Sequence, residues 1–243
     1  MAIVFHKGRY WARYCFFSTS TISPRYVPPH ISIRLFADDA KLFSTEPEDL
    51  QQSLNRVDLF LKERQLDLAI KKCEKLSISK NKDTHEFTID STPLCEALTV
   101  KDLGVHISND LTWEVHINKI KSKASQRSYV ILKSFQSKNI WILLKAYHTF
   151  VRLIVEYGSV VWNPYLSKDI ESLEDIQRSL TKICCRCNIP FKFYQDRMYK
   201  LNMRSLRYRR MEADLVMTYK IVHDLVDLPS DSFFTLYSSP YNA

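Results

Sequence analysis

The stretch Ile33 to Phe43, IRLFADDAKLF, sets two adjacent aspartates, Asp38 and Asp39, in the middle of an apolar, alternating run. Alternation is the period of a half-buried strand, and neighbouring carboxylates repel one another, so the pair is poorly suited to a strand interior. The segment from Ile31 to Phe43 is therefore read as two short strands joined by a tight turn, a hairpin.

Outward from that hairpin the pattern changes element by element. The next segment, TEPEDLQQSLNRVDLFLKERQ, has Thr45 as a cap, Pro47 near the first turn, acids in that turn, and Leu50, Leu54, Val57 and Leu61 at helical spacing. An amphipathic helix is expected. KKCEKLSIS, HEFTIDSTPL and VKDLGVHIS are short, rich in strand formers and separated by polar turns, so they read as strands of a small sheet. From Thr112 onward the texture is that of long helices, over 113–135, 139–162, 168–187 and 205–227. The fold class expected is α+β: a small antiparallel sheet with a helix, followed by an all-α region.

Composition narrows the function classes. A chain of 243 residues with 45% hydrophobic side chains is long enough for one or two domains with a true core. Its three glycines, Gly8, Gly104 and Gly158, are too few and too scattered for a phosphate-cradling glycine loop of the nucleotide or dinucleotide type. No apolar run reaches the roughly 18 residues of a membrane span, and Met1 to Ser23 lacks the apolar core of a secretory signal. An intracellular protein, cytoplasmic or nuclear and without a membrane partner, is expected, with its six cysteines as thiols. Cys184, Cys185 and Cys187 crowd together without a second Cys/His pair at zinc-ligand spacing, and read as thiols too.

Charge is uneven along the chain. Residues 1–110 carry 15 Lys and Arg against 15 Asp and Glu, while residues 111–243 carry 20 against 12, so the whole net charge of +8 lies in the second half. A one-sided basic excess is a footprint of polyanion binding, and a solvated helical surface gives the same count. Lys119, Lys121, Lys123 and Arg127 fall on one expected helix, and Arg207, Arg209 and Arg210 form a second cluster. Tyr147, Phe150, Leu153, Ile154 and Tyr157 recur on one helical face and are expected in a core.

Taken in order, LFADDAKLF, DLQQSLNRVDLFL, KKCEKLSIS, TIDSTPL, VKDLGVHISNDLTWEVHI, AYHTFVRLIVEYGSVVWNP, LEDIQRSLTKI and YRRMEADLVMTYKI resemble the reverse transcriptase of non-LTR (LINE-like) retrotransposons. The resemblance runs from about Ile31 to Leu228 in family order, and that order is far more specific than an isolated FADD. It implies residues 31–111 as a partial polymerase palm and 112–243 as a helical thumb and C-terminal region. An atypical tail, 1–30, would precede them. It implies an RNA-directed DNA polymerase by origin, with RNA and DNA template-primer as partners.

By the same resemblance Asp38 and Asp39 are the catalytic, Mg²⁺-binding pair, Asp38 the principal ligand, with Phe36 and Ala37 setting the turn and leaving room for a primer end. Polymerases use two such ions, one activating the primer hydroxyl and one the leaving pyrophosphate. The basic residues of the second half would touch template-primer phosphates, while Glu156, Tyr157 and Trp162 are read as structural. The family also uses an aspartate from an earlier palm strand and fingers ahead of it. Residues 1–37 contain no Asp or Glu. The chain is therefore expected to be inactive alone, with an exposed sheet edge and face; the alternative is a helical nucleic-acid-binding module without polymerase activity.

The tail itself carries a trace of what it replaced. Reading the third base of each codon with the first two of the next, Tyr10-Trp11 must give Leu, Trp11-Ala12 must give Gly, and Tyr14-Cys15 must give Leu. Elsewhere from Phe5 to Ser23 the code permits the rest of PQGTVLGPVLFFLYINDI, the segment the family carries just before its FADD hairpin. Residues 5 to about 23 are read as an out-of-frame translation, the ancestral frame resuming before Tyr26.

Overall fold

The computed structural model describes residues 28, 30–36, 39–65, 68–78, 85–135, 139–186 and 193–235, together with the backbone of 2–5; of 183–186 it describes the backbone alone. The chain divides into two compact units, Met1–Val115 and His116–Ala243, the first mixed and the second helical, an α+β protein.

The first unit is built on a five-stranded sheet, in the order Ser32–Phe36 (β2), Asp39–Phe43 (β3), Ala2–Phe5 (β1), Glu74–Leu76 (β4) and Cys95–Glu96 (β7). Strands β2 (Ser32–Phe36) and β3 (Asp39–Phe43) form the expected hairpin, in register from Ser32 opposite Phe43 to Phe36 opposite Asp39. Helix α1 (Pro47–Glu63) follows, and β4 (Glu74–Leu76) returns to the sheet. Between β3 and β4 lies β1 (Ala2–Phe5), antiparallel to both. The start of the tail is thus an interior strand, and β2 stands at an edge of the sheet.

Helix α1 begins at Pro47 because proline's fixed φ suits the first helical position, where its missing N–H costs nothing. Its flanking residue is Glu46 rather than Thr45, without a side-chain cap. Ser44 supplies the local bonds instead, its Oγ accepting from Glu46 N at 3.0 Å. Leu50, Leu54, Val57, Phe60 and Leu61 make the buried stripe, packed with Ile31, Ala40, Leu42, Cys73, Phe87 and Ile89. Ala40 and Leu42 share one face of β3 by strand alternation, which leaves Lys41 to the other.

Two segments read as single strands are hairpins. Thr88–Ile89 (β5) pairs with Thr92–Pro93 (β6), and Thr99–Asp102 (β8) with Val105–Ser108 (β9). Both turns have two residues of positive φ, Asp90 and Ser91 in one, Leu103 and Gly104 in the other, the geometry that matches strand twist in a two-residue loop. Cys95–Glu96 (β7) adds to β4 in parallel. Val100 of β8 packs on Leu76 of β4, with Ala97 and Ile107 beside them.

In the second unit α2 (Glu114–Ser134) and α6 (Ser167–Arg186) are the long helices, α2 entering from the last two residues of the first unit. The helix expected over 139–162 is four pieces: α3 (Ile140–Tyr147), a π-helical segment (His148–Arg152), α4 (Leu153–Glu156) and α5 (Ser159–Trp162). Gly158, at φ 63°, makes the break before α5. The wider π turn shifts the buried face to Tyr147, Val151 and Val155. Phe150, Leu153 and Tyr157, expected in a core, are 52%, 60% and 59% exposed. Two further helices, α7 (Tyr194–Lys200) and α8 (Leu206–Val222), complete the unit.

Candidate functional site

The acidic pair sits where β2 gives way to β3. Asp39 opens β3 opposite Phe36 and is half-buried, while Phe36 stands exposed. Ala37 and Asp38, the two residues that connect the strands, lie outside the described residues. On the other side of β3, strand β1 ends at Phe5 opposite Ala40, one position from Asp39. Ala2, Ile3, Val4 and Phe5 bring no carboxylate to that place. Among the described residues no group of three or more His, Cys, Asp or Glu side chains could hold a metal ion.

The basic residues separate by environment. On α2, Lys119, Lys123 and Arg127 are exposed, and Lys121 is half-buried with its Nζ donating to Ser172 Oγ of α6 at 2.9 Å. Arg207 is exposed near the start of α8. Arg209 is held by Glu156, Nε donating to Oε1 and Nη2 to Oε2, which keeps its guanidinium firmly charged. Arg210 is only 1% exposed; its Nε donates to Asn163 Oδ1 at 3.1 Å, and burial lowers its pKa from the ordinary value. It is therefore a core residue and not part of a solvent-facing basic cluster. Glu156 and Trp162 are structural, the indole donating to Tyr157 O at 2.8 Å and meeting His116 edge-on; the Tyr157 side chain faces solvent.

Sequence reasoning missed the polar core that organises these helices. Tyr147 Oη donates to Gln177 Oε1 at 2.8 Å, and Gln177 Nε2 donates to Tyr194 Oη and to Arg204 O, each at 3.0 Å. Tyr194 donates in turn to the buried Glu174. Glu174 also accepts from the backbone N–H of Leu206 and Arg207, so a carboxylate of α6 closes the N-terminus of α8 where the helix dipole favours it. Burial raises the pKa of both Tyr147 and Tyr194, and Glu174 adds to this most directly at Tyr194. These phenols stay protonated. Beside this core, His148 and Arg152 of the π segment face Arg204 and Arg209 across a small pocket. No spacing signals it, because its residues come from four separate parts of the chain.

No family model and no solved structure matches the chain. Over 121 residues, 49% of its length, it is 26% identical to an uncharacterized protein of Caenorhabditis elegans, B0403.1. The matched part spans 61% of that protein. No helix among the described residues is long and apolar enough to cross a membrane.

Proposed function

We propose that the chain derives from a non-LTR retrotransposon reverse transcriptase, with part of a polymerase palm in its first unit and thumb-like helices in its second, and that it does not polymerise by itself. The observation that carries the reading is the acidic hairpin in its setting. Phe36 pairs with Asp39 at the end of β2-β3, α1 leads from β3 to β4, and an interior strand separates the two, a split β-α-β arrangement. The ordered motifs from Ile31 to Leu228 supply the family.

In a polymerase such a pair holds Mg²⁺ against the nucleotide phosphates. Among the described residues, the donors beside the hairpin do not make a two-metal site. The hairpin offers Asp38 and Asp39 alone, and β1, the strand beside β3, offers no third carboxylate. What remains is one acidic turn on a folded scaffold.

The test is primer extension by the purified chain with template-primer, deoxynucleotides and Mg²⁺. No incorporation is expected, and Asp38→Ala changes nothing measurable. Incorporation abolished by Asp38→Ala overturns the reading. A second reading, a nucleic-acid-binding module, is favoured by the exposed Lys119, Lys123 and Arg127 on α2. It requires RNA or DNA affinity that falls steeply with salt, and flat salt dependence counts against it.

A further inference from the structure

The pocket in the second unit is a cavity lined by three arginines and a histidine. It measures about 270 Å³ and is lined by His148 and Arg152 of the π segment, Gln177 of α6, Asn202 and Arg204 of the α7–α8 connection, and Arg209 of α8. Among the described residues no carboxylate lines it. The acids that neutralise these cations hold them from behind: Glu156 grips Arg209 and lies 3.7 Å from Arg152 Nε, and Glu212 takes Arg204 Nη1 at 2.9 and 3.1 Å. Two buried nitrogens, His148 Nδ1 and Arg152 Nε, make no hydrogen bond among the described residues. Leaving buried polar atoms unmatched is costly, and π-helical turns of this kind are frequent at functional sites.

We infer that this pocket is a phosphate site, its group held between the guanidiniums of Arg152, Arg204 and Arg209 with His148 as the fourth donor. Two arguments select phosphate, and Gln177 fixes the wall behind it. The cavity is smaller than the roughly 300–1,000 Å³ of pockets for drug-sized ligands, so the group is small. Guanidiniums that line one cavity from separate parts of the chain, each keeping N–H groups beyond those its carboxylate takes, suit a tetrahedral oxyanion, which accepts on several sides, better than a planar carboxylate. Gln177 is committed through both ends of its amide to Tyr147, Tyr194 and Arg204 O, so it forms a fixed wall. Desolvation, with Arg152 and Arg209 nearby, holds the His148 pKa below its ordinary value. A bound anion opposes the cationic part of that shift and favours the protonated imidazole, both of whose ring nitrogens donate.

The experiment follows the His148 ring by NMR in the full chain, titrating inorganic phosphate against chloride at matched ionic strength. A saturable His148 shift with phosphate alone, and an upward move of its pKa, are expected. Arg204→Gln, at the exposed rim, weakens phosphate at least about fivefold through loss of a charge-assisted contact; Arg152→Gln does the same if it folds, and Arg204→Gln decides if it does not. A short single-stranded oligonucleotide giving the same shift at lower concentration assigns the site to nucleic-acid phosphates, and equal or weaker oligonucleotide binding assigns it to free phosphate. Absence of a phosphate-specific shift, or unchanged phosphate affinity in folded Arg204→Gln, overturns the inference. No step uses polymerase activity, so this result stands apart from the proposed function.

Discussion

Lys41 and Asp102 show what a single buried pair does for the first unit. Lys41 is on the β3 face away from α1, only 9% exposed, and its ammonium meets Asp102 of β8. A lysine left there without its partner is an uncompensated charge, so Asp102→Ala should cost about 3 kcal/mol, read as a lower denaturation midpoint with unchanged slope. Glu174 plays the corresponding part in the second unit. Glu174→Ala strands the Tyr194 hydroxyl and two N–H groups of α8 at once, and a loss of about 3 kcal/mol is expected in the same measurement. His148 gives a pH dependence with a definite sign. Its folded pKa lies below the ordinary value near 6.5, so the unfolded chain binds the extra proton more readily. The stability it contributes is present above about pH 6.5 and is lost as pH falls from there towards the folded pKa. A His148→Gln chain should show a shallower fall in melting temperature over that interval.

At the scale of elements, local pattern carried some of the fold and missed the rest for identifiable reasons. The hairpin and α1 were legible because their periods, their proline and their acidic turn all agree. The 147–157 stripe misled because it was counted at α-helical spacing, whereas the π turn at His148–Arg152 moves Val151 and Val155 inward in place of Phe150 and Leu153. Strand β1 was illegible: four apolar residues carry no period, and their partners are some forty and seventy positions away. Its place in the sheet makes it testable. Ile3 is paired on both sides, so its N–H has a partner whichever way it points, and Ile3→Pro should cost about 1–3 kcal/mol. A variant with unaltered stability would place β1 outside the folded sheet. The β8–β9 turn predicts a gain instead. Leu103 at φ 44° occupies a left-handed position that costs a non-glycine residue about 1 kcal/mol, and it is followed by Gly104. Leu103→Asn creates the Asn-Gly pair that such turns favour and should raise the melting temperature by a few degrees.

At the scale of the molecule, the two candidate sites differ in how sequence could reveal them. The acidic hairpin is local, two carboxylates in one turn. The phosphate pocket is assembled from positions 148, 152, 177, 202, 204 and 209, and its charge balance depends on which acids stand behind which guanidiniums, which no linear pattern records. The origin of residues 5–23 is a question about nucleotides, with a sharp expected answer. The forced residues, Leu from Tyr10-Trp11, Gly from Trp11-Ala12 and Leu from Tyr14-Cys15, stand at the spacing of the family's VLGPVLF core. The remaining codons are free to spell Pro-Gln-Gly-Thr before it and Tyr-Ile-Asn-Asp-Ile after it, or to spell something else. Sequencing the genomic DNA should give the whole motif in the shifted frame, followed by a return to the present frame before Tyr26. Synonymous bases that break the motif at Phe5–Lys7 or Ser18–Ser23 would sink the frameshift.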